Sequence, residues 1–199
     1  MKKKIFWDVD GTIYNSPKRF IEIYNKEYNQ NADWRKVNKW DFSDTCPLLK
    51  NHDAERYFSL PEFYNKEMDY QDVYIPSIIK YLYNVDGYDV HFVTIGNRDN
   101  LYFKRKLLEW HFPYIPKETN YHLLEKIHMG KGEVDMSEAI LIDDNYINLL
   151  TSNSDLKICL HRVTDWNKDV ERSGFKRLYN SLEVYYYIKQ LEMDGGFIG

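Results

Sequence analysis

Four acids and their spacing are the first chemistry in this chain. Asp8 and Asp10 stand two apart in the run DVDGT, residues 8–12, and Asp143 and Asp144 stand side by side after the apolar run 139–142. A carboxylate at a strand end can attack an electrophile or bind a hard cation. A second one just beyond it, where the chain turns, can face the same site and move protons. Adjacent acids at a strand end are costly to bury unless a cation neutralises them. Plainer readings stand beside these. Asp-Gly among alternating apolar residues is also a hairpin signal, and an acidic pair is also an ordinary solvated turn. Thr94 ends another apolar run, a common place for threonine. Lys131 lies between two glycines and reads equally as a solvated cation. Asn148 is a helix-start residue or a support for the acids before it. Arg98, Lys104, Arg105 and Lys106 read as the wet face of a helix.

These residues need elements to bring them together. Residues 4–9 are rich in large apolar side chains and suit a buried strand. Residues 88–94 form a second strand, and 139–142 and 156–160 are short continuous apolar runs, as in a parallel strand covered on both faces. Helices are predicted from Ser16-Pro17 onward, over 72–85, over 98–110 and over 182–191, the last behind a Ser181 cap. Strands alternating with helices imply a parallel α/β sheet. Asp8/Asp10, Thr94 and Asp143/Asp144 then all lie at carboxyl ends of strands, where open parallel sheets bind ligands. The stretch 16–85 breaks the rhythm. It reads as a helical cap inserted after the first strand, over a core made of 1–15 and 86–199. From 29 to 70 its pattern is patchy, with short helices predicted near 53–59 and 61–68 and with Trp34, Trp40, Phe42 and Phe58 among its aromatics.

The order DVDGT, strand-Thr, Lys, strand-DD resembles the haloacid dehalogenase (HAD) superfamily of phosphohydrolases. Its four motifs fall on Asp8/Asp10, Thr94, Lys131 and Asp143/Asp144, with the DDxxxN form of the last ending at Asn148. A response-regulator receiver also uses acids, Thr and Lys, but there the Lys comes last. Chain length, the insert of roughly 70 residues, the aromatic segment KWDF at 39–42 and the run LIDD are similar to the small 5′(3′)-deoxyribonucleotidases. One departure is that Ile95 and Gly96 follow Thr94, where the family tends to carry a small hydroxyl residue. That removes one phosphate ligand.

The resemblance implies a Rossmann-like core and a mechanism. Asp8 would attack phosphorus, and Asp10 would protonate the leaving alkoxide and then activate water. Thr94 and Lys131 would hold the phosphoryl oxygens. A site of oxygen ligands suits Mg²⁺ better than zinc; its ligands would be Asp8, Asp143 and the backbone carbonyl of Asp10, with Asp144 and Asn148 supporting them. Trp34, Trp40, Phe42 and Phe58 are candidates to stack on a base, against the alternative that they form the cap's own core. The substrate implied is a (deoxy)nucleoside monophosphate. Two other functions fit the same residues. One is a phosphatase for a sugar phosphate, phosphoglycolate or a 3′-phosphorylated end; the other is a non-catalytic phosphate- or Mg²⁺-binding regulator.

Composition bounds the rest. With 199 residues the chain can bury a core without disulfide or metal staples. Its net charge of −4 argues against a polymeric nucleic-acid partner. No apolar run approaches the ~20 residues of a membrane span. MKKK has the basic head of a signal peptide, but only Ile5, Phe6 and Trp7 follow before Asp8, so a cytoplasmic location is expected. Cys46 and Cys159 fit no metal or redox pattern and read as free thiols.

Overall fold

Ile5, Phe6 and Trp7 are buried, and β1 (Lys4–Trp7) that they form lies in the middle of a six-stranded sheet. The structure is a computed structural model and describes residues 2–50, 53–125 and 130–195. Along the chain β1 is followed by α1 (Ser16–Tyr28), α2 (Asp53–Tyr57), α3 (Ile75–Asn84), β2 (Asp89–Gly96) and α4 (Arg98–His111). Then come α5 (Lys117–Asn120), β3 (Tyr121–Glu125), β4 (Ala139–Asp143), α6 (Tyr146–Thr151), β5 (Leu156–Leu160), β6 (Lys176–Leu178) and α7 (Ser181–Met193). The sheet order is β3-β2-β1-β4-β5-β6, and every pairing is parallel. The chain therefore winds outward in both directions from β1. The crevice between β1 and β4 is the switch point where such sheets bind ligands.

The parallel pairing disposes of the hairpin reading of Asp10-Gly11, since β1 pairs with β2 and β4, both far along the chain. β4 is buried at every position, as a strand covered on both faces must be. α3 packs its Ile78, Ile79 and Leu82 face into the main core, and it contacts β2 and α7. Two expected caps shift by one residue. Asn15, not Ser16, caps α1 by accepting from the Lys18 amide, and Asn180, not Ser181, caps α7 by accepting from the Glu183 amide. Both serine hydroxyls are thereby free for other partners.

Between α1 and α3 the chain makes a 3₁₀ turn (Trp34–Lys36), then α2, and otherwise turns. The predicted helix near 61–68 is a run of turns instead. Asn65 accepts from the Glu67 amide at 2.9 Å, a local bond that competes with helix formation. This segment gains its order from aromatic packing. Phe20 of α1 stacks on Phe42 with ring centroids 3.7 Å apart and meets Tyr57 edge-on at 4.8 Å. No described helix is long and apolar enough to cross a membrane, and both cysteines are buried and unpaired with each other.

Candidate active site

The ends of β1, β2 and β4 meet because their registers align: Trp7 lies opposite Phe92 on one side and Ile142 on the other. Asp8 follows Trp7 and continues the ladder, its amide donating to the Ile142 carbonyl at 2.9 Å. Beyond it the chain turns at Gly11, whose φ is +76° and where a Cβ would stand 2.4 Å from Asp144 Oδ2. Only glycine accepts that backbone and that approach without strain. The turn sets Asp10 beside Asp8 and presses the DVDGT run against Asp144.

Two buried lysines hold these acids. Lys131 Nζ is bonded to Asp8 Oδ1, and it reaches Asp143 Oδ2 at 2.5 Å. Lys104 Nζ pairs with Asp10 Oδ2 at 2.5 Å and donates to Thr94 Oγ1 at 2.8 Å and to the Ile95 carbonyl at 3.0 Å. Asp10 accepts further from Ser16 Oγ at 2.6 Å and from the Tyr64 hydroxyl at 2.9 and 3.1 Å. Asp143 Oδ1 accepts from the Asn145 amide at 2.8 Å and from Asn148 Nδ2 at 3.2 Å. Asp144 Oδ2 accepts from Trp166 Nε1 at 2.9 Å.

Burial dominates the electrostatics. It pushes Asp8 up to about 7; Asp143 and Asp10 add to the rise, while Lys131 opposes it. Burial likewise holds Asp144 well above the usual carboxylate range, with Asp8 and Asp143 adding. For Lys131 burial acts to lower the pKa, but the Asp143 and Asp8 carboxylates outweigh it and the amine is held above its ordinary value. Asp8, Asp143 and Asp144 each offer an oxygen within 4.8 Å of the others. An all-carboxylate donor set of this size fits a hard divalent cation. Lys131 and Lys104 pair with three of the four carboxylates but bring only two positive charges, and a divalent ion would offset the remaining two negative charges.

A cavity of about 690 Å³ opens over this floor. Asp8, Asp10, Thr94, Lys104, Asp144 and Asn148 reach it, and Trp40 and Phe58 form an aromatic wall, their rings stacked 5.8 Å apart. Lys131 and Asp143 lie fully buried behind the floor. Two of the aromatic expectations are corrected. Phe42 is 0% exposed, sandwiched in the core by Phe20, and does not line the cavity. Trp34 packs partly buried against the core and does not line it either.

Lys104, expected on the wet face of its helix, is not there. It is 1% exposed and points inward from α4. Its spacing could have revealed this, for it falls three after Leu101 and four before Leu108, both on the buried stripe. Tyr64, Ser16 and Trp166 were also missed, and no local pattern marks them. A loop after β5 carries Trp166, and it is tied to the segment before Trp40: the Asp165 amide donates to the Asn38 carbonyl at 3.0 Å, and Arg162 donates to that of Val37. Trp166 in turn meets Trp40 edge-on at 5.5 Å. The acidic floor and the aromatic wall are thus joined through one indole.

Chemically, the arrangement presents a carboxylate beside a buried cation, a second carboxylate held by three donors, and an aromatic wall above. A family model for 5′ nucleotidase, deoxy (pyrimidine), cytosolic type C proteins matches residues 2–191. No curated protein matches the sequence. Among solved structures, a predicted phosphatase from Clostridium acetobutylicum is similar at 16% identity and TM-score 0.63, covering 96% of this chain and 100% of that one. A HAD family hydrolase from Deinococcus radiodurans, solved with bound phosphate and sodium, is similar at 10% identity and TM-score 0.61, covering 99% and 97%. CbbY from Rhodobacter sphaeroides, in complex with phosphate, gives 15% identity and TM-score 0.53 over 90% and 94%. At these identities the likenesses establish the HAD-like fold.

Proposed function

The chain belongs to the family of 5′ nucleotidase, deoxy (pyrimidine), cytosolic type C proteins within the HAD superfamily, and from that premise we propose that it hydrolyses the phosphate ester of deoxynucleoside monophosphates in the cytosol. The observation that carries this reading is the junction of a floor of Asp8, Asp10 and Asp144, backed by Lys131 and Asp143, with a cavity of about 690 Å³ walled by Trp40 and Phe58. The floor suits a phosphoryl group, and the aromatic wall lining the same cavity suits a flat base.

Asp8 attacks phosphorus as its carboxylate, forming the Asp8 oxygen–phosphorus bond while the ester P–O bond breaks. Asp10 gives its proton to the departing ester oxygen. Water then attacks the phosphorus of the aspartyl phosphate, Asp10 takes its proton, and phosphate leaves with Asp8 restored. Thr94 steadies a phosphoryl oxygen, and Lys131, from behind the floor, holds Asp8 and Asp143 and offsets their charge. Lys104 supports the same role on the Thr94 side, where Ile95 offers no hydroxyl. Asp8, Asp143 and the Asp10 carbonyl would hold a Mg²⁺ ion, which would supply charge neutralisation at the transferring phosphoryl group. Asp144 and Asn148 orient that shell, Asn148 through its bond to Asp143.

The test is a set of deoxynucleoside and ribonucleoside monophosphates, a sugar phosphate and phosphoglycolate, each assayed with Mg²⁺ and with EDTA, alongside Asp8→Asn. Deoxynucleoside monophosphates are expected to give the highest kcat/KM, with EDTA and Asp8→Asn each abolishing turnover. Preference for the sugar phosphate or phosphoglycolate would refute the substrate. Undiminished turnover in Asp8→Asn would refute the mechanism.

A further inference from the structure

Asp10 draws one of its donors from outside the α/β layers. The Tyr64 hydroxyl lies across both carboxylate oxygens, 2.9 Å from Oδ1 and 3.1 Å from Oδ2. Tyr64 comes from the run of turns after α2, far along the chain from β1 and with no periodicity that would seat it. It is buried, and its ring packs on Phe63 with centroids 4.8 Å apart.

What aims the hydroxyl is Asn100 on the first turn of α4. Its Nδ2 donates to the Tyr64 oxygen at 2.8 Å and to the Phe58 carbonyl at 2.9 Å. With that lone pair taken, the phenolic hydrogen is left to point at Asp10. The neighbouring Asn97 Nδ2 donates to Ser59 Oγ at 2.8 Å. Residues 58, 59 and 64 are thus pinned to one helix end, and the same pinning delivers a hydroxyl to Asp10. Ser16 and Lys104 fix Asp10 from the core side. Only the Tyr64 bond depends on the segment that also carries Phe58 of the cavity wall.

We propose that Tyr64 is a positioning residue for Asp10, its hydroxyl fixing the carboxylate that exchanges the proton and tying that proton transfer to the seating of residues 58–64 on α4. The inference rests on the acid–base role given to Asp10 above. Tyr64 itself gives up no proton in the reaction. The proton passes from the Asp10 carboxyl to the ester oxygen as the P–O bond breaks, and Tyr64 keeps its own while holding the carboxyl in line.

Leaving groups separate this role from a structural one. An alkoxide such as a deoxyribose oxygen needs protonation as it departs, whereas p-nitrophenolate leaves as a stable anion. Single-turnover release should be measured with saturating Mg²⁺-loaded enzyme on a deoxynucleoside monophosphate and on p-nitrophenyl phosphate, for the wild type, Tyr64→Phe and Asp10→Asn. Tyr64→Phe is expected to slow the nucleotide roughly tenfold to hundredfold, a part of the 10²–10⁴ that general acid catalysis contributes, and to leave p-nitrophenyl phosphate within about threefold. Asn100→Ala, which keeps the phenol but frees its direction, should show the same selectivity with a smaller loss, and it serves as the second variant should Tyr64→Phe fold poorly. Equal slowing of both substrates, or of neither, by Tyr64→Phe while Asp10→Asn is selective would overturn the role of Tyr64 alone. If Asp10→Asn is itself unselective, the acid–base assignment of Asp10 falls, and this inference with it.

Discussion

Trp40 and Phe42 are two residues apart in one aromatic segment, and the structure gives them opposite fates. Trp40 is 36% exposed on the cavity wall, whereas Phe42 is 0% exposed against Phe20. Replacing Phe42 by Ala empties a packed site, and buried Phe→Ala changes cost about 3–5 kcal/mol. For a chain of this length about 1 kcal/mol moves Tm by roughly 2–4 °C, so Tm should fall by about 6–20 °C. Replacing Trp40 by Ala removes a stacking face worth about 1–3 kcal/mol per base. That weakens nucleotide binding roughly five- to 150-fold, at about 1.4 kcal/mol per decade. Binding is best measured by titration calorimetry of a deoxynucleoside monophosphate on an Asp8→Asn background, where turnover does not blur Kd; Tm comes from a thermal melt. Trp40→Ala should shift Kd with little change in Tm, and Phe42→Ala should shift Tm. Phe42 also has φ +59°, a left-handed backbone that costs a side-chain-bearing residue about 1–2 kcal/mol. Phe42→Gly should therefore be no less stable than Phe42→Ala, although it loses one carbon more. A Phe42→Ala protein of unchanged Tm with weakened nucleotide binding would refute the assignment of the two rings.

Two further outcomes follow from buried charges. Lys104→Met keeps the volume but removes the cation on Asp10 and Thr94; turnover should drop roughly 10²-fold or more, and Tm should fall, since the buried Asp10 carboxylate is left without its cation. Unchanged kcat in that variant would return Lys104 to a passive place. Burial holds the His161 and His122 imidazoles down to about 4, with the Arg162 carbonyl opposing the shift at His161 and His91 adding to it at His122. An unfolded chain takes up those protons near the ordinary value of 6.5, so stability is full above that pH and lost as pH falls from 6.5 towards 4. Asp8, raised to about 7, works in the opposite direction over much of the same range. The melt should therefore be followed in Asp8→Asn, where adding His161→Gln is expected to flatten the acid-side decline. An unaltered slope would rule His161 out as its source.

How far the site could be read from sequence depended on what holds each residue in place. Asp8 directly follows, and Thr94 and Asp143 lie on, strands whose apolar runs are legible, and parallel neighbours bring such ends together whatever the loops do. Lys131 is legible through its order relative to them, even though its ion pairs span 123 and 12 residues. The edge strands β3 and β6 escaped because an edge is covered on fewer sides. Tyr121 and His122 are only half-buried and Lys176 is exposed, so no continuous apolar run marks either strand.

The segment between α1 and α3 is a different case. With neither a helical nor a strand period over 29–70, sequence fixes which side chains are aromatic but not which of them point inward. That choice is made by long-range seating: Phe20 takes Phe42, the loop carrying Trp166 takes Trp40, and Asn100 takes Phe58 and Tyr64. None of these pairings has a signature in spacing, because each joins an irregular segment to an element elsewhere in the chain. The residues that sequence missed are therefore the ones through which this segment touches the acids, Tyr64 on Asp10 and Trp166 on Asp144. In this chain the floor of the site is set by local strand chemistry and its coupling to the cavity wall by tertiary packing. Substitutions along the wall should accordingly alter binding and proton delivery while the acidic floor keeps its geometry.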